Sequence, residues 1–190
     1  MFEPSYLDLP KGTPVVIRPI CPNDAPALQR GMMALSATSR YLRFHMNRGP
    51  LTEKELYFFT HCDQQNHLAF VMFPVAKPQE LIGVCRCIRD KANSNQADMA
   101  ITIADQWQKQ GAGSLLAKQL RKASLVVGIT RWTAFYLATN RGISKLLIQV
   151  AKLTAVKMVG QGELIAYYQL VFKHRSTGEY DSVWNGDFTA

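Results

Sequence analysis

The chain has 190 residues, of which 47% are apolar, and its formal net charge is +8 at pH 7. This length and composition fit one globular domain with a hydrophobic core, and every apolar run is far shorter than the roughly 18 to 20 residues of a membrane span. The basic residues are scattered rather than clustered. This argues against a nucleic-acid-binding protein and favours a solvated surface that attracts an anionic cofactor.

The N-terminus and the cysteines bear on location and on metals. No Lys or Arg precedes Lys11, which is unlike a signal or transit peptide, so we expect a soluble cytoplasmic protein that does not associate with a membrane. The spacing of the cysteines matches no zinc site, and we therefore expect free thiols and no bound metal. The cysteines are Cys21, Cys62, Cys85 and Cys87.

The first predicted elements are a strand and three helices. β-branched residues between prolines indicate a strand over residues 14–20. Helical spacing predicts helices in residues 25–35 and 36–45, and a capping-box pattern predicts a third helix in residues 52–59.

The second half of the chain mixes strands and helices. The predicted strands cover residues 67–75, 80–88, 98–104, 132–137, 154–159 and 164–172, and the predicted helices cover residues 115–123 and 141–153. Their order predicts a mixed α/β fold with a mostly antiparallel central sheet flanked by helices. We divide the chain into an N-terminal extension (residues 1–13), one domain (residues 14–172) and a polar C-terminal tail (residues 173–190).

A glycine-rich segment joins the strand at residues 98–104 to the helix that follows. Its sequence is Gln108-Lys109-Gln110-Gly111-Ala112-Gly113-Ser114. Unpaired backbone N–H groups at a helix N-terminus attract phosphate, and glycines let a diphosphate approach the backbone closely. A purely structural turn would use the same glycines, so both interpretations stay open. The P-loop ending is absent, and the three-glycine dinucleotide fingerprint is incomplete.

Residues 103–114 resemble the acetyl-CoA motif of the GNAT N-acetyltransferases, which reads Gln or Arg, two variable residues, Gly, one variable residue, then Gly or Ala. The matching residues are Gln108, Gly111 and Gly113. Residues 17–20 and 36–44 resemble the beginning of the GNAT domain of bacterial protein-lysine acetyltransferases and their free-standing relatives. Asn140 stands where the family usually has Asn.

The resemblance implies a GNAT fold with splayed central strands and acetyl-CoA as the cofactor. It implies that the pantetheine arm pairs with the backbone of Ile101 and Ile103 and contacts Asn140. It also implies that the diphosphate lies on the amides of the glycine-rich segment. Lys109 either pairs with nucleotide phosphates or is a solvated loop residue. The implied cofactor-binding residues are Ile101, Ile103, Gln108, Lys109, Gln110, Gly111, Ala112, Gly113, Ser114 and Asn140.

The segment Ala97-Asp98-Met99-Ala100 resembles the Ala-Glu-x-Ala of lysine acetyltransferases, whose Glu is the general base. An alkyl amine is almost fully protonated at neutral pH, so acyl transfer to it needs a base. Asp98 is therefore the predicted catalytic residue, although its side chain is shorter than that of Glu by one carbon–carbon bond. Binding of a turn amide or a basic neighbour is its alternative role. Leu147 stands where many members have a Tyr that protonates the thiolate, so we expect that proton to come from solvent.

From these residues we predict an acetyl-CoA-dependent N-acetyltransferase. The acceptor would be a primary amine, of a protein lysine or of a small molecule, that attacks directly in a ternary complex. The alternative is a non-catalytic acyl-CoA-binding sensor, which the departures at Asp98 and Leu147 motivate. Acceptor identity, acyl-chain preference and a possible homodimer stay open.

Overall fold

The structure is a computed structural model, and it describes residues 2–46 and 48–170. The strands are β1 (Ser5–Asp8), β2 (Pro14–Pro19), β3 (His67–Pro74), β4 (Gly83–Arg89), β5 (Gln96–Ile103), β6 (Arg131–Leu137), β7 (Lys152–Met158) and β8 (Glu163–Gln169). The helices are α1 (Ala25–Ala34), α2 (Ala37–Phe44), α3 (Glu53–Thr60), α4 (Ala112–Val126) and α5 (Arg141–Leu147). The predicted mixed α/β fold is confirmed. None of these described helices has the length and apolarity to cross a membrane.

The strands form one sheet in the order β1-β2-β3-β4-β5-β6-β8-β7. All neighbours are antiparallel except β5 and β6, which are parallel. A parallel pair requires a crossover connection, and α4 supplies it while packing across β3 and β4. The glycine-rich loop therefore lies at the end of β5 where the crossover begins.

Helices cover both faces of the sheet, so the central strand β3 is buried along its whole length. Alternate residues of β3 join two separate hydrophobic clusters because successive side chains point to opposite faces. Leu68, Phe70 and Met72 belong to the cluster that includes α4. Ala69, Val71 and Phe73 belong to the cluster that includes α1.

The strands β5 and β6 pair over three residues only and then separate. The pairs are Gln96 with Arg131, Ala97 with Trp132, and Asp98 with Thr133. β5 remains paired with β4 as far as Ile103, and β6 remains paired with β8 as far as Leu137. The two strands therefore form a V whose apex lies at Asp98 and Thr133. This is the splay that the sequence resemblance implies.

The boundaries of several elements differ from the sequence prediction by a few residues, and three differences bear on the fold and the site. β1 lies in residues 1–13, where its exposed side chains hide the alternation expected of a strand, and it pairs with β2. β5 begins earlier than predicted, at Gln96. The helix predicted over residues 141–153 ends at Leu147, and that prediction was wrong beyond this point because a short apolar run does not distinguish a helix end from the turn after it. Residues 171–190, including the proposed tail, lie outside the described part of the chain.

Candidate active site

A cavity of about 640 Å³ fills the V between β5 and β6. Met99 and Ala134 line its apex, and Ile103, Tyr136 and Asn140 line its wide end. α2 and α5 contribute further walls, and the loop before α4 lies at the mouth. The β5 edge from Met99 to Ile103 spans roughly 13 Å at a strand rise of about 3.3 Å per residue. The cavity thus suits an elongated ligand that lies along β5.

The loop before α4 presents unpaired amides at the mouth of the cavity. Lys109 and Gly111 have positive φ angles of 58° and 90°, and the chain turns there so that α4 begins at Ala112. Within residues 2–46 and 48–170, none of the backbone N–H groups of residues 109–114 donates a hydrogen bond. These N–H groups precede and open a helix of 15 residues. Such amides, at the positive end of a helix dipole, form an anion-binding site.

The two glycines of this loop meet different neighbours. A Cβ on Gly111 would lie 2.7 Å from Cδ of Pro10, and the positive φ already disfavours any other residue. A Cβ on Gly113 would lie 3.3 Å from Cδ2 of Leu146, in α5. Gly111 is therefore required by the turn itself as well as by its position at the cavity. The structural interpretation that the sequence leaves open is therefore supported, and phosphate binding stays a prediction.

Basic side chains line the cavity, and no carboxylate does within the described chain. Lys109, Arg141 and Lys145 are exposed at the wide end, whereas Arg43 of α2 lies on the inner wall. A concave surface that carries charge of one sign raises the local concentration of the opposite ion. The cavity is therefore suited to an anionic ligand.

The backbone of β5 offers free hydrogen-bonding groups to the cavity. The carbonyl of Gln96 and the N–H of Ala104 bond on the β4 side of the strand. Because antiparallel pairing alternates, the C=O of Met99, the N–H and C=O of Ile101 and the N–H of Ile103 point the other way, into the V. The Met99 N–H belongs to the last β5–β6 pair, and the Ile103 C=O already accepts a hydrogen bond from Gln108. An extended chain with amide groups can pair with such an edge as an added strand.

The side chain of Gln108 fastens the loop to the rest of the site. Its Nε2 lies within hydrogen-bond distance of Ser39 Oγ at 3.1 Å, the Ile103 carbonyl at 3.1 Å and Asp105 Oδ1 at 3.2 Å. Asp105 Oδ2 also accepts a hydrogen bond of 2.7 Å from the backbone N–H of Ser36, the N-cap of α2. The side chain of Gln108 is thus committed to holding the loop and α2 in register.

Asn140 begins α5 at the wide end of the cavity. Its Oδ1 accepts a hydrogen bond of 3.3 Å from the backbone N–H of Ile143, so Asn140 is the N-cap. In the described part of the chain its Nδ2 amide donates to no protein group, and this amide remains available to a ligand in the cavity.

Asp98 lies beside a second pocket of about 540 Å³ that adjoins the V. The two cavities share Arg43, Met99, Ala100 and Phe135. The hydroxyl of Thr133 donates a hydrogen bond to Asp98 Oδ1, which holds the carboxylate at the apex. Asp98 is exposed, and it lies on the face of β5 opposite Met99. It therefore stands where the V and the second pocket meet.

Two of the side chains near the cavity that could donate a proton, Tyr136 and His45, are already engaged. Leu147 is fully buried in the core, so no acid occupies its position. The Tyr136 hydroxyl lies on the cavity wall but within 3.3 Å of the Tyr168 hydroxyl, and burial raises the pKa of Tyr168. His45 lines the second pocket, and its Nδ1 lies 3.2 Å from Glu163 Oε1.

Most of the residues predicted to bind a cofactor come together around one cavity. Those that line it are Ile101, Ile103, Gln108, Lys109, Gly111, Gly113, Ser114 and Asn140. Gln110 and Ala112 do not line it: the Gln110 side chain bonds to the Gln106 carbonyl, and Ala112 is buried in the core. The sequence did not single out Tyr136, Arg141 or Lys145. A basic or aromatic residue after a strand carries no signal that it faces a cavity.

No group of three or more His, Cys, Asp or Glu side chains in the described residues is arranged to hold a metal ion. The cavity residues instead fit a ligand with a phosphate-bearing end and an amide-containing arm. The unpaired loop amides and basic side chains match the first, and the free edge of β5 matches the second.

Comparison with known proteins places this chain in one family. A family model described as the acetyltransferase (GNAT) domain matches residues 15–150. Acetyltransferase Pat from Mycolicibacterium smegmatis is 30% identical over 131 residues, which is 69% of this chain and 39% of that protein. The match thus spans well under half the length of this curated relative.

Two solved structures illustrate the similarity of fold. The GNAT domain of S. lividans PAT has a TM-score of 0.79 and 23% identity, with 88% of this chain and 97% of that chain covered. The putative acetyltransferase yncA from Salmonella typhimurium, solved with its cofactor acetyl-CoA, has a TM-score of 0.64 and 13% identity, with 87% and 98% covered. At these identities the likeness concerns the fold.

Proposed function

Because this chain belongs to the acetyltransferase (GNAT) domain family, we propose that it is an acetyl-CoA-dependent N-acetyltransferase that acts on a primary amine. The acceptor is a protein lysine or a small amine, and it attacks directly while both substrates are bound. The observation that carries the proposal is the position of Asp98, a carboxylate at the apex of the V where a cavity for an anionic, elongated ligand meets a second pocket.

The residues of the V would hold acetyl-CoA in two parts. The diphosphate would lie on the N–H groups of residues 109–114, with Lys109, Arg141 and Lys145 balancing phosphate charge at the wide end. The pantetheine arm would pair with the backbone of Ile101 and Ile103, while Gln108 already occupies the Ile103 carbonyl.

The side-chain Nδ2 of Asn140 would donate to the same arm, since the side-chain oxygen Oδ1 already accepts the N-cap hydrogen bond of α5. Gln110 and Ala112 would contribute only through their backbone amides, because their side chains point elsewhere. When bound, acetyl-CoA supplies an acetyl thioester, and this arrangement directs that end of the cofactor toward the apex.

Asp98 would be the general base. An alkyl ammonium has a pKa near 10.4, so a carboxylate must accept its proton before the nitrogen can act as a nucleophile at neutral pH. The Thr133 hydroxyl holds one carboxylate oxygen, and the other is free to face the amine or a bridging water. The thiol leaving group takes its proton from solvent, since Leu147 is buried in the core.

Replacement of Asp98 by Asn tests this role directly. We expect kcat/KM for the amine to fall about 100- to 1,000-fold, as is typical for loss of a general base, while the affinity for CoA measured by calorimetry stays the same. Asp8→Asn is the matched control, because Asp8 is exposed on the edge strand β1. An unchanged rate in Asp98→Asn would refute the base role. Binding of acetyl-CoA without transfer of a labelled acetyl group to any amine would refute the enzyme and indicate a non-catalytic binding module.

A further inference from the structure

Arg43 is a cation without a counter-ion beside the proposed site of reaction. It belongs to α2 and lines both the V cavity and the second pocket. Among the described residues its guanidinium makes no hydrogen bond and no ion pair. It lies over the ring of Phe44, with 4.9 Å between the guanidinium carbon and the ring centroid. All five of its N–H donors are therefore available to a ligand.

The neighbouring arginines do not share this property. Arg48 forms an ion pair with Glu55. Arg86 donates hydrogen bonds to His67 Nε2 at 3.1 Å and to the Phe59 carbonyl at 3.2 Å. The charge of Arg48 is therefore balanced by Glu55, although its Nε has no hydrogen-bond partner among the described residues, and the Arg86 guanidinium donates to two acceptors.

The surroundings of Arg43 leave its charge uncompensated. Burial, together with the smaller effect of the positive charges of Arg86 and Arg48, lowers the pKa of Arg43 to about 10. A partly desolvated cation beside other cations costs folding free energy. An anion bound in the cavity next to the Arg43 guanidinium would recover part of that free energy.

The second pocket pairs this cation with one unpaired anion. Asp98 lines it and has no salt bridge to any described residue, so Arg43 and Asp98 lie more than 4.0 Å apart and do not neutralise each other. Two further ionisable side chains line the pocket: His45 is paired with Glu163, and the ring of Tyr167 lies beneath the ammonium of Lys157. The pocket thus presents one carboxylate and one guanidinium that have no ionic partner in the described chain, and aromatic rings are also part of its lining.

We propose that the acceptor carries a carboxylate in addition to its amine, with Arg43 binding the carboxylate and Asp98 receiving the amine. This rests on the proposed acetyltransferase function. The chemistry has two sources: a free amino acid, or a peptide lysine beside an acidic residue. CoA phosphates are a poorer match for Arg43, because the loop amides that fit phosphates lie at the wide end of the V. Arg43 instead lines both the V cavity and the second pocket, as Met99 and Ala100 at the apex do.

The test compares acceptors that differ by one carboxylate, in wild-type protein and in Arg43→Gln. The change in preference between the two proteins is the readout, because loss of the carboxylate also lowers the pKa of a neighbouring amine. One pair is phenylalanine and phenylalaninamide. The other is two short peptides with a single lysine that is followed by Glu in one and by Gln in the other. Lys122→Gln is the control, since Lys122 is an exposed cation of α4, on the opposite face of the sheet.

We expect wild-type kcat/KM to favour the carboxylate-bearing member of at least one pair about 10- to 100-fold, as for a charge-assisted hydrogen bond. Arg43→Gln should abolish that preference by raising the KM of the carboxylate-bearing acceptor, whereas Lys122→Gln should retain the preference. The pair that shows the preference identifies the source. Equilibrium dialysis of labelled phenylalanine and of the Glu peptide against protein saturated with CoA gives a second readout that does not need turnover.

Three results would overturn the proposal. One is transfer to both members of each pair at equal rates. Another is a uniform loss for all acceptors in Arg43→Gln. The third is a preference of wild type for succinyl-CoA over acetyl-CoA that Arg43→Gln removes, which would assign the guanidinium to the acyl chain. In each of these cases acetyl transfer is observed, so the proposed function stands. Absence of transfer to every amine would instead reject both.

Discussion

Replacement of Gly111 by Ala probes how the glycine-rich loop is built. Gly111 has a φ of 90°, a conformation that costs an L-residue roughly 1–2 kcal/mol. The new Cβ would also lie 2.7 and 2.8 Å from two ring carbons of Pro10, well inside the 3.5–4.0 Å at which carbon atoms pack, and such overpacking costs roughly 1–3 kcal/mol. We expect the free energy of unfolding to fall by about 2–5 kcal/mol.

The loss should be visible in both stability and ligand binding. At about 2–4 °C per kcal/mol for a chain of this size, Tm measured by circular dichroism should fall roughly 4–20 °C. The affinity for CoA measured by calorimetry should also fall, because the loop can avoid Pro10 only by moving its amides.

A matched glycine separates the two contributions. Gly128 has a φ of 80° and no atom within 4 Å of its Cβ position, so Gly128→Ala should cost only the conformational part. Gly111→Ala should cost about 1–3 kcal/mol less when it is introduced into Pro10→Ala than when it is introduced into the wild-type protein. Equal losses in Gly111→Ala and Gly128→Ala, or no recovery in the double variant, would refute the packing argument.

Two further predictions concern buried titratable groups. Burial and the charge of Arg86 lower the pKa of His67 to about 4, below the ordinary 6.5. Between these two values the unfolded chain binds more protons than the folded chain. The free energy of unfolding should therefore fall by about 2–3 kcal/mol as pH drops from 6.5 to 4. Urea titrations should show a flatter pH dependence in His67→Gln but not in His61→Gln; an unchanged slope in the first variant would contradict this. Burial raises the pKa of Cys87 to about 11 and that of Cys85 as well, so neither should react with a thiol reagent at pH 8 before unfolding. Mass spectrometry after timed labelling would identify them, and rapid labelling of either in native protein would disprove their burial.

The α2 helix links the parts of the proposed site. Asp105 and Gln108, on either side of the short turn after β5, both contact Ser39, and Asp105 also contacts the N-cap Ser36. At the other end of the same helix, Arg43 reaches the two cavities. The segment 36–44, singled out in the sequence only by resemblance, thus connects the loop at the wide end of the V with the apex.

The sequence alone determined the features that depend on near neighbours in the chain. The capping box at Thr52 predicted α3, and hydrophobic periodicity predicted the mixed α/β fold, because both follow from local hydrogen bonding and side-chain spacing. The glycine-rich segment marked the loop before α4 because only glycine accepts the φ of Gly111 without strain.

Tertiary structure decided what depends on residues distant in sequence. The pairing of Asp98 with Thr133, 35 residues away, ends the β5–β6 ladder and fixes the apex of the V. Only the fold shows that Gly111 packs on Pro10 and that Arg43 has no counter-ion. A periodic pattern tells which face of an element is buried. It does not tell which other element lies against that face, and the shape and charge of a cavity are set by those elements together.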